Sequence, residues 1–266
     1  FEDFTLTIIP GYHVDSVIVN GKRADDQVKN NILAGQSVTA DNPNADIVVN
    51  YAADNQATNI VYEDKDGNII KKDMVNGKTD ETVNTDSSVP DGWKLIPGQT
   101  IPSKVTFTGD KTPDTIISVE HVTVHVDHDQ PKQPGALIPG TKDKHFPSGV
   151  KQNDLNSTVT RTVRVTEPYK GTSTIKQTVA FTRDVTVDAV TGEVKYQPWS
   201  EDGNHTFSKV DIPVVPGYTP SQSGVDSLTV KPGDSDSTIT ITYTPNNYAG
   251  KVSYIDDQGH EQSATA

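Results

Sequence analysis

"YEDKDGN" at residues 62–68 sets three carboxylates and a glycine within seven positions, with a short apolar run on each side. The spacing poses a choice between half of a calcium loop and an acidic hairpin turn. An EF-hand loop needs oxygens at positions 1, 3 and 5, a glycine at 6 and a bidentate glutamate at 12. Counted from Asp64, Gly67 falls at position 4 and Val75 at position 12. "NIVYEDKDGNIIKK" therefore reads as a hairpin with Asp-Gly-Asn at its tip.

The phrase recurs. "YIDDQGH" at 254–260 nearly repeats it, and the intervals Tyr51–Tyr62 and Tyr243–Tyr254 are both 11 positions, a shift of 243 − 51 = 192 residues without a gap. Upstream, "FTLTIIPGY" at 4–12 resembles "VDIPVVPGY" at 210–218, and "VPDGWKLIPGQ" follows the same order more loosely. Self-similarity of this kind marks tandem modules. The chain divides into the C-terminal part of a preceding module (1–53), a full module (54–128), a Pro/Gly-rich connector (129–145), a second full module (146–245) and the opening hairpin of another (246–266). It reads as an excerpt from a longer repeat protein.

Composition agrees with small modules. Hydrophobic residues make up 32% of the 266 and aromatics 6%, too few for one large core. Abundant Thr, Val, Asp and Asn favour strands joined by polar turns. "STVTRTVRVTEP" and "TIKQTVAFTRDVTVD" alternate over long stretches and read as a second, longer hairpin. "ADDQVKNNILAG" at 24–35 is the best helix candidate, with Asp25 and Asp26 near its start and Gly35 after it. The expected class is α+β, predominantly β.

A net charge of −13 without a basic stripe excludes nucleic acid as a partner class. No apolar run has the length of a membrane span. Cysteine is absent, which removes disulfides and thiolate metal sites. No catalytic motif is present, neither G-x-S-x-G nor H-E-x-x-H nor a phosphate-binding glycine loop, so the expectation is no enzyme and no cofactor. His121 and His125 lie four apart on a strand, about 13 Å along it, which is too far for one metal ion. They read as a solvated strand face, and no metal site is expected.

Tyr12, Trp93 and Tyr218 each follow a glycine at one position per module, the pattern of a core plug. In the long hairpin, Arg161 shares the apolar face of Val159, Val163 and Val165, and Arg183 shares that of Val179, Phe181 and Val185. Either the face runs out to solvent there and the arginine stems snorkel, or the guanidinium groups form a forked anion site. Trp199 follows Pro198 at a strand end, and with Tyr196 it offers a flat ring to a sugar. Arg161, Arg183, Tyr196 and Trp199 are the candidate ligand-binding residues. From Lys151 to Lys195, Lys and Arg outnumber Asp and Glu, so anionic glycans are expected here if anywhere.

"VYEDKDGN", "VNGKTDETV", "PDGW" and "DTIISVEH" resemble the mucin-binding repeat of lactobacillal surface adhesins. "HFPSGVKQNDLNSTVTRTVRV" followed by "KQTVAFTRDVTVDAVTGEVKYQPWSEDG" resembles the second domain of the mucus-binding protein repeat, over residues 145–245. The resemblance covers most of the chain, although residues 1–53 follow the pattern only from "PGY" onward. It implies tandem β-grasp-like (ubiquitin-like) modules in an elongated array, in an extracellular adhesin anchored to a Gram-positive cell wall. The implied partners are mucus (mucin) glycoproteins; the arginine fork adds sialylated glycans as candidates, and a host protein such as immunoglobulin is a separate alternative. A purely structural stalk is the competing role.

Overall fold

The computed structural model describes residues 2–40 and 43–262. Small sheets account for nearly all of its regular structure. The chain divides into two units, one formed by 1–124, 137–145 and 188–192, the other by 125–136, 146–187 and 193–266.

In the first unit the hairpin around "YEDKDGN" is present: Asn55–Glu63 pairs antiparallel with Ile69–Lys78. Thr115–His121 runs parallel to Asn55–Glu63 on its other side and carries Trp93–Leu95 on its far edge. Ile60, Tyr62, Ile117 and Val119 form the core of this sheet. A separate core of Leu6, Val17, Val19, Ala24 and Leu33 serves the sheets formed by residues 4–53.

The hairpin tip is built from its own carboxylate. Asp64 Oδ1 accepts the N–H of Asp66 and of Asn68, both at 2.9 Å, and Gly67 takes φ 80°. The copy at 256–260 repeats the pattern: Asp256 Oδ1 accepts from Gln258 at 3.0 Å and His260 at 2.8 Å, and Gly259 takes φ 83°. An Asp that caps its own turn, followed by a residue free to go left-handed, is what both phrases encode. The acidic residue at position 66 is dispensable, because Gln258 fills the equivalent place.

The helix expected over 24–35 does not form. Asp25–Gln27 is a single 3₁₀ turn, followed by the strands Val28–Lys29 and Ile32–Leu33. Asn30 and Asn31 between them take φ 50° and 65°, a left-handed pair that closes a two-residue hairpin. Asp25 is used to accept the Val17 N–H at 2.7 Å rather than to cap a helix. Among the described residues, helical geometry is confined to Gln152–Leu155 and two single 3₁₀ turns.

The second unit is organised by the long hairpin of Asn156–Glu167 and Gly171–Thr182, with twelve residues on each strand. Ser237–Ile241 lies parallel to its first strand, with Val163 opposite Ile239. The arrangement of hairpin and parallel neighbour is the same as in the first unit. Two cores line the hairpin: Val163, Val165, Val210, Ile212, Val225 and Ile241 in one, Val159, Val179, Phe181, Phe207 and Val230 in the other. Val185–Asp188 pairs with Val194–Tyr196, setting Val185 opposite Tyr196.

Residues 129–145, read from their Pro and Gly as a stiff connector, close a loop. In the first unit Leu137 bridges to His145, and Ile138 is buried. In the second the Gly135 N–H donates to the Phe146 carbonyl at 2.8 Å, and Phe146 is buried.

Candidate functional site

Three of the four residues singled out from the sequence meet in the second unit. The guanidinium carbon of Arg183 lies 3.6 Å from the centre of the Tyr196 ring and 4.2 Å from that of Trp199. Each element has a reason to place its side chain there. Arg183 stands in the break between Gly171–Thr182 and Val185–Asp188, its backbone N–H donating to the Leu155 carbonyl at 2.9 Å. Tyr196 is delivered by its pairing with Val185. Trp199 rests on the Val159–Phe181–Phe207 core, which fixes its ring. Directly after it, Ser200 Oγ accepts the Thr182 N–H at 2.9 Å.

Gly149 closes the site from behind. It holds φ 95°, and a Cβ there would stand 2.4 Å from the Tyr196 hydroxyl. Only glycine satisfies both the backbone and the contact.

The Arg183 Nε–H donates to the Asp154 carbonyl at 2.9 Å, while its Nη1 and Nη2 donate no hydrogen bond among the described residues. A guanidinium held by its faces keeps its in-plane edge available, and that edge matches a carboxylate in two parallel hydrogen bonds. Tyr196 is exposed, and Arg183 and Trp199 are half-buried, so the group borders solvent.

Arg161 is placed differently. It is 1% exposed, between the two cores of the long hairpin. Its Nε and Nη2 both donate to Gln177 Oε1, at 2.9 and 2.6 Å. Nη2 also reaches the Ser208 carbonyl and Nη1 the Asp226 carbonyl, each at 2.6 Å. This arginine ties the hairpin to two loops by satisfying their carbonyls. The structure does not bring it to the other three.

The three glycine-aromatic positions are equivalent turns. Tyr12, Trp93 and Tyr218 each donate a backbone N–H three residues back, to Ile9, Pro90 and Val215, after glycines at φ 77°, 83° and 82°. None is a fully buried plug. Trp93 packs on the sheet core and meets His121 edge-on at 4.3 Å. It lines a cleft of about 410 Å³ with Asp64, Asp66, Glu120 and His121. The cleft escapes sequence reasoning because its walls come from a hairpin tip and from separate strands distant in sequence.

His121 was expected on a solvated face. Its Nδ1 instead pairs with Asp188 at 2.6 Å, and it is half-buried. Burial pushes the Asp188 carboxyl up, but the N–H groups of Thr191 and Val190 and the His121 ring outweigh this and hold it below the usual range.

Together these features set one cation against two aromatic rings in a strand-built module. Residues 150–247 match the family model of the Muc B2-like domain, the second-domain repeat that this part of the sequence resembles. No curated protein matches the chain. Among solved structures, the chain is similar to Mub-RV, at 27% identity and a TM-score of 0.49 over 72% of this chain and 100% of that one. It is also similar to the type 2 repeat of the mucus-binding protein MUB from Lactobacillus reuteri, at 24% identity and a TM-score of 0.36 over 72% and 100%. A shorter likeness, at 30% identity and a TM-score of 0.26 over 34% and 100%, is to the MucBP domain of an adhesion protein from Pediococcus pentosaceus.

Proposed function

We propose that the chain is a non-enzymatic adhesin repeat that binds mucus glycoproteins, with Arg183, Tyr196 and Trp199 forming the contact for an acidic sugar such as sialic acid. The observation that carries this reading is the Arg183 guanidinium, fixed against two rings with its terminal donors unengaged. A sialic acid carboxylate takes the fork, and its ring lies along the exposed Tyr196. The Muc B2-like assignment supports the class of partner. On this reading the protein works outside the cell, on a Gram-positive surface.

At a net charge of −13 the chain gains nothing from long-range attraction to acidic mucin. Short-range hydrogen bonds and stacking supply the affinity, so moderate salt leaves binding intact. Single contacts are weak, and repeated modules raise avidity by roughly two to four orders of magnitude.

The test is binding to immobilised mucin before and after sialidase. The account expects strong loss after sialidase. Unchanged binding to desialylated mucin refutes the acidic-sugar site, and unchanged binding after complete deglycosylation points to protein recognition of the immunoglobulin type.

A further inference from the structure

The second unit holds a cluster of imidazole and carboxylate groups that the glycan contact does not use. His125 is the last residue but one of the strand Thr123–Val126, and its side chain is 58% exposed, while its neighbour Val126 is buried. Asp127, two residues on, falls on the same side as His125. Asp184 arrives from the break after Gly171–Thr182, nearly sixty positions away in sequence. His125, Asp127 and Asp184 each offer one ligand atom, and these atoms lie within 4.8 Å of one another.

The two oxygens of Asp184 have different tasks. Oδ1 accepts the His128 backbone N–H at 3.0 Å and faces His128 Nδ1 at 2.7 Å. That fixes the carboxylate plane and leaves Oδ2, 3.2 Å from His125 Nε2. Ligand atoms bound at about 2.0–2.1 Å in a tetrahedron stand roughly 3.3 Å apart, so this separation is the edge of a tetrahedral site. Ligating carboxylates are themselves held by outer hydrogen bonds, and His128 supplies these to Asp184. Asp129, 3.6 Å from His128 Nε2, adds negative charge beside it.

We infer that His125, Asp127 and Asp184 form a three-ligand site for a divalent transition ion, best matched by Zn²⁺ with water at the fourth position, and that His128 positions Asp184. One imidazole nitrogen with two carboxylate oxygens suits a borderline ion. Ca²⁺ demands six to eight oxygens, which three side chains do not supply. The sequence conceals the site because it pairs an i, i+2 spacing on one strand end with a distant aspartate, whereas His121 and His125 alone suggest nothing.

The experiment is calorimetric titration of the tag-free chain with ZnCl₂, alongside thermal melts with and without the ion. The site predicts one Zn²⁺ per chain, a rise of several degrees in Tm at saturation, and no comparable shift with MgCl₂ or CaCl₂ at the same concentration. His125→Ala and Asp127→Asn, both exposed substitutions that leave the fold intact, weaken Zn²⁺ binding at least tenfold. No saturable binding by the wild type, or equal binding by both variants, overturns the inference. The readout needs no mucin, so it stands or falls apart from the glycan contact.

Discussion

The Arg183 guanidinium packs 3.6 Å from the Tyr196 ring while donating its Nε–H to the Asp154 carbonyl, so the side chain is anchored at one edge and open at the other. A bidentate charge-assisted pair contributes about 1.5–3 kcal/mol. Arg183→Ala is therefore expected to weaken binding to sialylated mucin by roughly 10- to 100-fold. Arg183→Lys keeps the charge, loses the fork, and recovers only part of the affinity. Surface plasmon resonance on both variants, with circular dichroism to confirm folding, checks this.

Arg161 carries the opposite expectation. Its removal strands Gln177 Oε1 and the Asp226 carbonyl, while the Ser208 carbonyl keeps only the Gln177 amide as donor. Each such group costs about 1–3 kcal/mol, so Arg161→Ala lowers stability by on the order of 3 kcal/mol or more. Denaturant melts measure the loss. At temperatures where the variant remains folded, mucin binding is unchanged.

Gly149→Ala tests the positioning of Tyr196 without touching any ligand. The new Cβ meets the Tyr196 hydroxyl, and the backbone at φ 95° disfavours any side chain. A loss of about 1 kcal/mol in stability is expected. Mucin binding falls together with it, whereas Gly171→Ala, at the start of its strand with open space around it, leaves binding as it was.

Asp188 sets an acid limit on the first unit. Its carboxyl is held below the usual range in the folded chain, so its contribution is complete above the unfolded value near 3.9 and is lost as pH falls through the folded value. Tm measured from pH 6 to pH 3 drops for the wild type in the acid part of that range. Asp188→Asn starts lower and shows a shallower acid decline.

The hairpin phrase was legible because its information is local. An Asp that accepts its own backbone and a glycine that turns left-handed fix the tip, and the two copies share their hydrogen bonds although Gln258 replaces Asp66. The Arg183 site was legible in part. Alternation placed Arg183 beside Phe181, and the Pro198–Trp199 step marked an unusual ring. Arg161 carries the same pattern signal as Arg183, and its burial depends on the Ser208 and Asp226 loops, which periodicity does not see. The helix over 24–35 failed because Asn30 and Asn31 resolve as a left-handed hairpin turn, and Phe4–Thr5, distant in sequence, pairs with Ile32–Leu33 as a strand.

The chain contains two tryptophans, Trp93 and Trp199, so its amide correlation spectrum shows two indole signals. Titration with sialyllactose tests the acidic-sugar contact most directly. The account predicts that the Trp199 indole and the Arg183 side-chain signals shift together and saturate, while the Trp93 indole stays still. Static Trp199 and Arg183 signals at millimolar ligand, in a protein that still binds mucin, contradict it.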